Sequence, residues 1–234
     1  MSETDWIYFQ PYISQLEQEG KVTRTFRRLD PERQQAIFDA IMEEATEKGP
    51  ASLNIKEIAR RAGVSVGSLY QYFPDRDGLL DFAVELCTRA TIAMFKEYTP
   101  MMAAMPLKDA MQAYLMGGLE WGQTAMGLVR FFGRAAYQGD PDLAERVVRP
   151  VATVMREAMQ EILAQAQARG EIRPEVDIVA ATRVMNALMI AIGDSQLLPY
   201  LNTYFQVTDK KVSLERVSQA LLDLIQQGIA TEAK

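Results

Sequence analysis

Between Ser65 and Phe73 the chain reads SVGSLYQYF, and these residue types suit one kind of chemistry, the non-covalent reading of a grooved polyanion. On a helix advancing about 100° per residue, Leu69 and Phe73 share one side and are expected to be buried. Gly67, Ser68 and Gln71 then point outward, with Tyr70 and Tyr72 on opposite flanks. Small polar residues over a groove floor, with hydroxyl-tipped aromatics toward its walls, fit a helix in the major groove of DNA. Taken alone, the two tyrosines fit ordinary amphipathic packing equally well. Val66 and Gly67 offer no side-chain hydrogen bond, so base readout would rest on Ser68, Gln71 and apolar contact with thymine methyls.

Bond-making chemistry has little to work with. The chain has no histidine, which removes His-based acid–base catalysis, Ser-His and Cys-His pairs and nearly every zinc site. No paired carboxylates, Gly-rich phosphate loop or metal-ligand spacing stand out, so no enzyme, cofactor or metal is expected. The single cysteine, Cys87, fits a reducing cytoplasm and lies among apolar neighbours, as a buried inert thiol more readily than a redox sensor. Glu3 and Asp5 replace the basic start of a signal peptide, and no apolar run reaches roughly 18 residues, so no membrane partner is expected.

The outward face needs a scaffold, and the flanking sequence supplies one. Ile55, Ile58, Ala59 and Ala62 recur at helical spacing, Gly63 breaks the pattern, and Ser65 is a good N-cap for the next helix. Two short helices around a tight turn are the grammar of a helix-turn-helix. Ahead of them, Asp30-Pro31 opens a helix with the stripe Ile37, Phe38, Ile41, Met42 and Ala45, closed by Lys48 and Gly49. Asn54 caps the second helix, with Glu57 spaced for a capping box and Leu53 for a staple against Ile58. The chain's net charge is −6, so DNA contact must use a local patch. Lys48, Lys56, Arg60, Arg61 and Arg76 against Glu57 and Asp75 provide it. Glu57 and Arg61 are spaced as an i,i+4 pair, which leaves Lys56 freer to meet a phosphate.

The run IARRAGVSVGSLYQYFPDRDGLL, Ile58 to Leu80, resembles the DNA-binding domain of TetR-family transcriptional regulators. IA, AGVS, G, LY, YF, a following basic residue and LL all stand at that family's spacing, and residues 33–80 share the likeness. The resemblance implies an all-α chain: a three-helix DNA-binding domain followed by a helical ligand-binding and dimerisation domain. It further implies a homodimeric regulator, a repressor released from double-stranded operator DNA by a small-molecule effector. By the same likeness Lys56, Ser65, Val66, Gly67, Ser68, Tyr70, Gln71, Tyr72 and Arg76 are the DNA-facing residues. Arg76 stands where the family usually has lysine.

Three divisions are expected: an extension over residues 1–29, the DNA-binding domain over 30–80, and the effector and dimerisation domain over 81–234. The extension carries an aromatic cluster, Trp6, Ile7, Tyr8, Phe9, Tyr12 and Ile13, then the cations Lys21, Arg24, Arg27 and Arg28. The cluster suits packing on the body or on a partner; the cations suit either phosphate contact or a solvated linker. A helix from Asp75 to about Tyr98 follows, then a joint bracketed by Pro100 and Pro106. The Met- and aromatic-rich stretch from Leu107 to Gln138 could line an adaptable pocket or simply form core. Tyr114, Glu120, Trp121, Phe131 and Asn186 are the candidate effector contacts. Pro150 is expected to kink the helix that Asp140-Pro141 opens, or to split it in two. Asp177 to Leu198 is apolar nearly all round and expected to be buried on more than one side; Pro199 to Ser213 reads as a linker. The last helix sets Val217, Ala220, Leu221, Leu224 and Ile225 on one face. By the resemblance, these last two helices form the homodimer. The alternative function is a helical interaction protein that binds another protein through its body or its aromatic N-terminal segment.

Overall fold

The recognition elements form as their caps dictate. In the computed structural model, Asn54 Oδ1 accepts the amides of Lys56 and Glu57 at 3.1 and 3.4 Å, and Ser65 Oγ accepts that of Ser68 at 2.9 Å. Described are residue 6 and residues 9–48, 52–124, 126–139 and 141–231, excepting the side chains at 121–129, 138 and 199. Gly49, the expected cap of the first head helix, Asp140, and Ile7 and Tyr8 of the aromatic cluster lie outside them.

Helices α1 (Gln10–Gln18) and α2 (Arg24–Arg27) form the extension, and α3 (Pro31–Lys48), α4 (Ile55–Ala62) and α5 (Val66–Tyr72) form the head. They are followed by α6 (Arg76–Ala104), α7 (Leu107–Thr124), α8 (Met126–Gln138) and α9 (Pro141–Leu143). A wider turn at Ala144–Val148 leads into α10 (Arg149–Ala168), and α11 (Ile178–Leu197), α12 (Pro199–Phe205) and α13 (Leu214–Ile229) end the chain. The fold is all-α, as expected; among the described residues β pairing is confined to one isolated bridge between Ile172 and Ala230.

Two prolines bear on the expected breaks. Helix α6 continues through Pro100 to Ala104, where a break had been expected. Pro100 leaves the Lys96 carbonyl without its amide donor, but Met102 and Ala103 are buried beyond it and hold the helix on; one residue earlier the Thr99 hydroxyl donates to the Phe95 carbonyl at 2.5 Å. Before Pro150 the helix passes through a π-helical segment, Ala144–Val148, that separates its first turn from α10. The carbonyl left without a donor is that of Arg146, and the Thr88 hydroxyl lies 3.5 Å from it.

The chain divides into two units, one of residues 1–92 with 124–150 and one of 93–123 with 151–234. The edge between them falls at 92/93, within the continuous α6, rather than at 80/81. In the first unit α3 packs on α4 and on α8, around Ile37, Phe38, Ile41, Phe73, Phe82 and Phe131. Here Cys87 is buried, with Sγ 3.9 Å from Met42 Sδ, and burial pushes its thiol well above the ordinary range, which suits an inert thiol. The second unit has its own core, with Met111, Tyr114, Met159, Ile162, Met185, Met189, Leu221 and Ile225.

Helix α11 corrects a further expectation. Thr182, Met185, Met189 and Ile192 are buried, but Val179, Val184 and Leu188 are exposed, so a single chain covers only one of its faces. By length and composition alone it could cross a membrane, although Arg183 and Asp194 interrupt it. The supposed linker after it begins with α12, capped by Gln206 in the left-handed region at φ 51°. On α13 the buried face is Ser218, Leu221, Leu222 and Ile225, while Leu224 is 68% exposed and Ala220 is exposed as well.

Candidate nucleic-acid interface

Helix α4 ends where Gly63 adopts φ 66°, a left-handed conformation that costs glycine little, and its amide closes back on Arg60. The chain turns through Val64, and Ser65 starts α5. Leu69 and Phe73 are buried as their spacing requires, which aims the opposite face of α5 away from the core. Gly67, Tyr70 and Gln71 are exposed on that face, Tyr70 at 54%; Val66 and Ser68 are half-buried. A Cβ on Gly67 would meet only Ser65 Oγ, at 3.7 Å. Space inside the chain therefore does not require glycine there, and what it leaves is a low outer surface.

Two expected contacts are altered by local packing. Tyr72 is buried at 7%, with its ring edge-on to Phe26 at 6.0 Å, so Tyr70 is the one flanking tyrosine that stands clear. The Ser68 hydroxyl lies 2.8 Å from that of Ser65, so this side chain is partly engaged within the cap. The extension's Phe26 was invisible to a reading of α5 alone. It contacts Tyr72, Phe73 and Phe82.

The charges also rearrange. Glu57 does not complete a capping box: it takes Arg60 Nε at 3.0 Å and Arg61 Nε at 3.1 Å, and these bonds hold its carboxyl down to about 2, Arg60's being the stronger. Arg61 also donates to Glu47 at 2.7 Å and lies 3.4 Å from Glu43 and from Glu44 Oε2. Glu44 is 1% exposed; at that distance Arg61 compensates its charge without a directed hydrogen bond to Oε2. Arg61 is thus structural, as its spacing suggested. Lys56 and Arg76 are exposed at opposite ends of the α4–α5 pair.

The candidate effector contacts separate. Tyr114 and Asn186 lie in the second unit, and Tyr114 OH and Asn186 Oδ1 are buried without a hydrogen-bond partner. Burial pushes the Tyr114 phenol above its ordinary range. Ser218 Oγ on α13 shares this state; sequence reasoning missed it, although a serine on an apolar helix face was the available signal. Glu120 is exposed, and the side chain of Trp121 lies outside the described residues. Phe131 belongs to the first unit and is buried there.

Residues 37–82 match the family model for bacterial regulatory proteins of the tetR family, and residues 120–192 match the tetracyclin repressor-like C-terminal domain. The HTH-type transcriptional regulator BetI of Klebsiella pneumoniae is 42% identical over 53 residues, which are 23% of this chain and 27% of that protein. The chain thus matches about a quarter of that curated relative's length. A TetR family regulator from Chloroflexus aurantiacus superposes with TM-score 0.61 at 20% identity, covering 90% of this chain and 99% of the other. The ketosteroid transcriptional regulator KstR2 of Mycobacterium tuberculosis gives TM-score 0.61 at 18% identity, with coverage of 88% and 98%. Both structures share the fold of this chain.

Proposed function

The chain belongs to the TetR family of bacterial transcriptional regulators, and from that premise we propose that it is a sequence-specific DNA-binding repressor. The observation that carries this reading is α5. Its buried Leu69 and Phe73 aim Gly67, Tyr70 and Gln71 outward from a helix-turn-helix closed by Gly63 and Ser65. Lys56, Arg76 and Tyr70 meet phosphates, while Ser65, Val66, Gly67, Ser68 and Gln71 face the bases, and Tyr72 supports the helix from behind. With so plain a face, DNA shape contributes to the choice of site.

The acting form is a homodimer paired through α11 and α13, whose exposed Val179, Val184, Leu188 and Leu224 are large apolar side chains that a second copy would cover. Two reading helices then sit about one turn of DNA apart, roughly 34–36 Å. A small molecule bound in the second unit favours a spacing that fits DNA poorly, and DNA affinity falls by its differential affinity for the two states. Tyr114, Asn186 and Ser218 supply its polar contacts in an otherwise apolar lining. The protein works without a catalytic step, in the compartment that holds the DNA.

Selection of bound duplexes from random-sequence DNA tests the reading. The expected product is a two-fold symmetric site whose affinity falls when Tyr70→Ala is made. Failure to enrich any duplex would overturn it. Screening small metabolites for release of the selected duplex then tests the effector step.

A further inference from the structure

Trp6 and residues 9–29 are bound into the head rather than trailing from it. The Thr23 hydroxyl donates to the Gln71 carbonyl at 2.7 Å, and the Thr23 amide donates to the Tyr72 carbonyl at 2.9 Å. Both acceptors are last-turn carbonyls of α5, which a helix end leaves without internal donors. Phe26 is fully buried against Tyr72, Phe73 and Phe82. On the other side, buried Gln34 of α3 accepts from Trp6 Nε1 and Gln10 Nε2 and donates to the carbonyls of Phe26 and Arg27. Arg89 of α6 grips Glu19 with two bonds of 2.7 Å.

The four cations of this segment then divide. Arg27 pairs with Glu17, and Lys21 lies 3.8 Å from Asp81. Arg24 and Arg28 stand four residues apart, on one side of a helical turn, and both are exposed. Neither makes an ion pair among the described residues. Arg24 directly follows Thr23, so its backbone begins one residue from the end of the reading helix. The head has use for such charges, since carboxylates neutralise Arg60 and Arg61 within a chain of net charge −6.

We propose that this extension is a second DNA-contacting element, fastened by Thr23 to the C-terminal end of α5, with Arg24 and Arg28 binding backbone phosphates beside the groove that α5 enters. The inference rests on the reading of α5 as a groove helix. It differs from an unstructured basic arm because the docked segment holds the backbone at Arg24 and Arg28 in fixed register with the reading helix. These contacts carry no base information and strengthen binding to every sequence alike.

The test uses the full-length protein, the duplex it selects from random DNA and a scrambled duplex of equal length. In R24A/R28A the slope of log affinity against log salt should become shallower by about 0.9 for each phosphate no longer neutralised, about 1.8 per head. Affinity for both duplexes should fall by a similar factor. K210A/K211A removes the same charge from the exposed loop before α13 and should leave the slope at the wild-type value. Wild-type slope in R24A/R28A with a native circular dichroism spectrum overturns the proposal alone. An equal change in K210A/K211A overturns it too, since net charge would then suffice. If the wild-type chain selects no duplex, the groove reading falls and takes this inference with it.

Discussion

Gln34 in the first unit and Tyr114 in the second are both largely closed off from water, yet their polar atoms fare differently. The Gln34 amide oxygen accepts two hydrogen bonds and its nitrogen donates two, tying the extension to the head. Tyr114 OH has no partner, nor do Asn186 Oδ1 and Ser218 Oγ in the same unit. Among the described residues the first unit has two such atoms, Glu44 Oε2 and Thr46 Oγ1, and the first of them lies 3.4 Å from Arg61. An unpaired buried polar atom costs about 1–3 kcal/mol, so the three in the second unit are the candidates for polar contacts with the proposed ligand. The second unit also exposes Val184 and Leu188 on a long apolar helix. The head satisfies most of its own groups, whereas the second unit leaves polar and apolar groups that a ligand and a second copy would complete.

The largest effect expected on this contrast comes from Phe26→Ala. Removing a fully buried ring from between Tyr72, Phe73 and Phe82 should cost about 3–5 kcal/mol in urea unfolding followed by circular dichroism. DNA binding should weaken in parallel. A loss below about 1 kcal/mol would mean that the extension merely rests on a head that is complete without it.

Next in size is the apolar face of the second unit. Val184→Asp with Leu188→Asp should raise the dimer dissociation constant at least about a hundredfold, about 2.8 kcal/mol, in sedimentation equilibrium. The unfolding free energy of the separated chain should move by no more than about 0.5 kcal/mol, because both sites are exposed there. An unchanged association constant would return α11 to the status of an ordinary surface helix.

The same contrast governs what could be read in advance. The caps at Asn54 and Ser65, the turn at Gly63 and the buried pair Leu69 and Phe73 are decided within a few residues, so local rules found them. The burial of Tyr72 depends on Phe26, far off in the chain, and no periodicity within α5 could show it. Glu57 had the spacing of a capping box, but two arginines on its own helix compete for the carboxylate more strongly than a backbone amide does. Composition alone put Tyr114, Glu120, Trp121, Phe131 and Asn186 on one footing, and it carries no sign of which of the two units each belongs to. Helix α11 was expected to be buried on more than one side because the face proposed to meet a second copy carries the same residue types as a core.

Acid should separate the units by a smaller amount. Glu57 is held near 2 in the fold, against an ordinary value of 4.5, by Arg60 and Arg61. A depressed carboxyl adds stability above pH 4.5, and that contribution is lost as pH falls through 4.5 toward 2. Replacing it as Glu57→Gln should therefore flatten the loss of stability over this window, followed by thermal unfolding at a series of pH values. An unaltered pH profile would show that its pairing with Arg60 and Arg61 is equally strong in the unfolded chain.

The finest discrimination comes from two hydroxyls of similar chemistry. Thr23 Oγ1 donates to the Gln71 carbonyl and also accepts the Phe26 amide at 3.4 Å as the cap of α2. Thr23→Val keeps the shape and deletes both bonds, so it should cost about 1 kcal/mol. Tyr114→Phe deletes a hydroxyl that has nothing to lose in the ligand-free chain, and should leave stability unchanged or raise it by up to about 1 kcal/mol. Only Thr23→Val should thus lower stability, and only Tyr114→Phe should blunt release from DNA by a metabolite found to act on the wild type. If Tyr114→Phe costs as much as Thr23→Val, its hydroxyl is bonded in solution, and the second unit is as self-sufficient around that residue as the head is around Gln34.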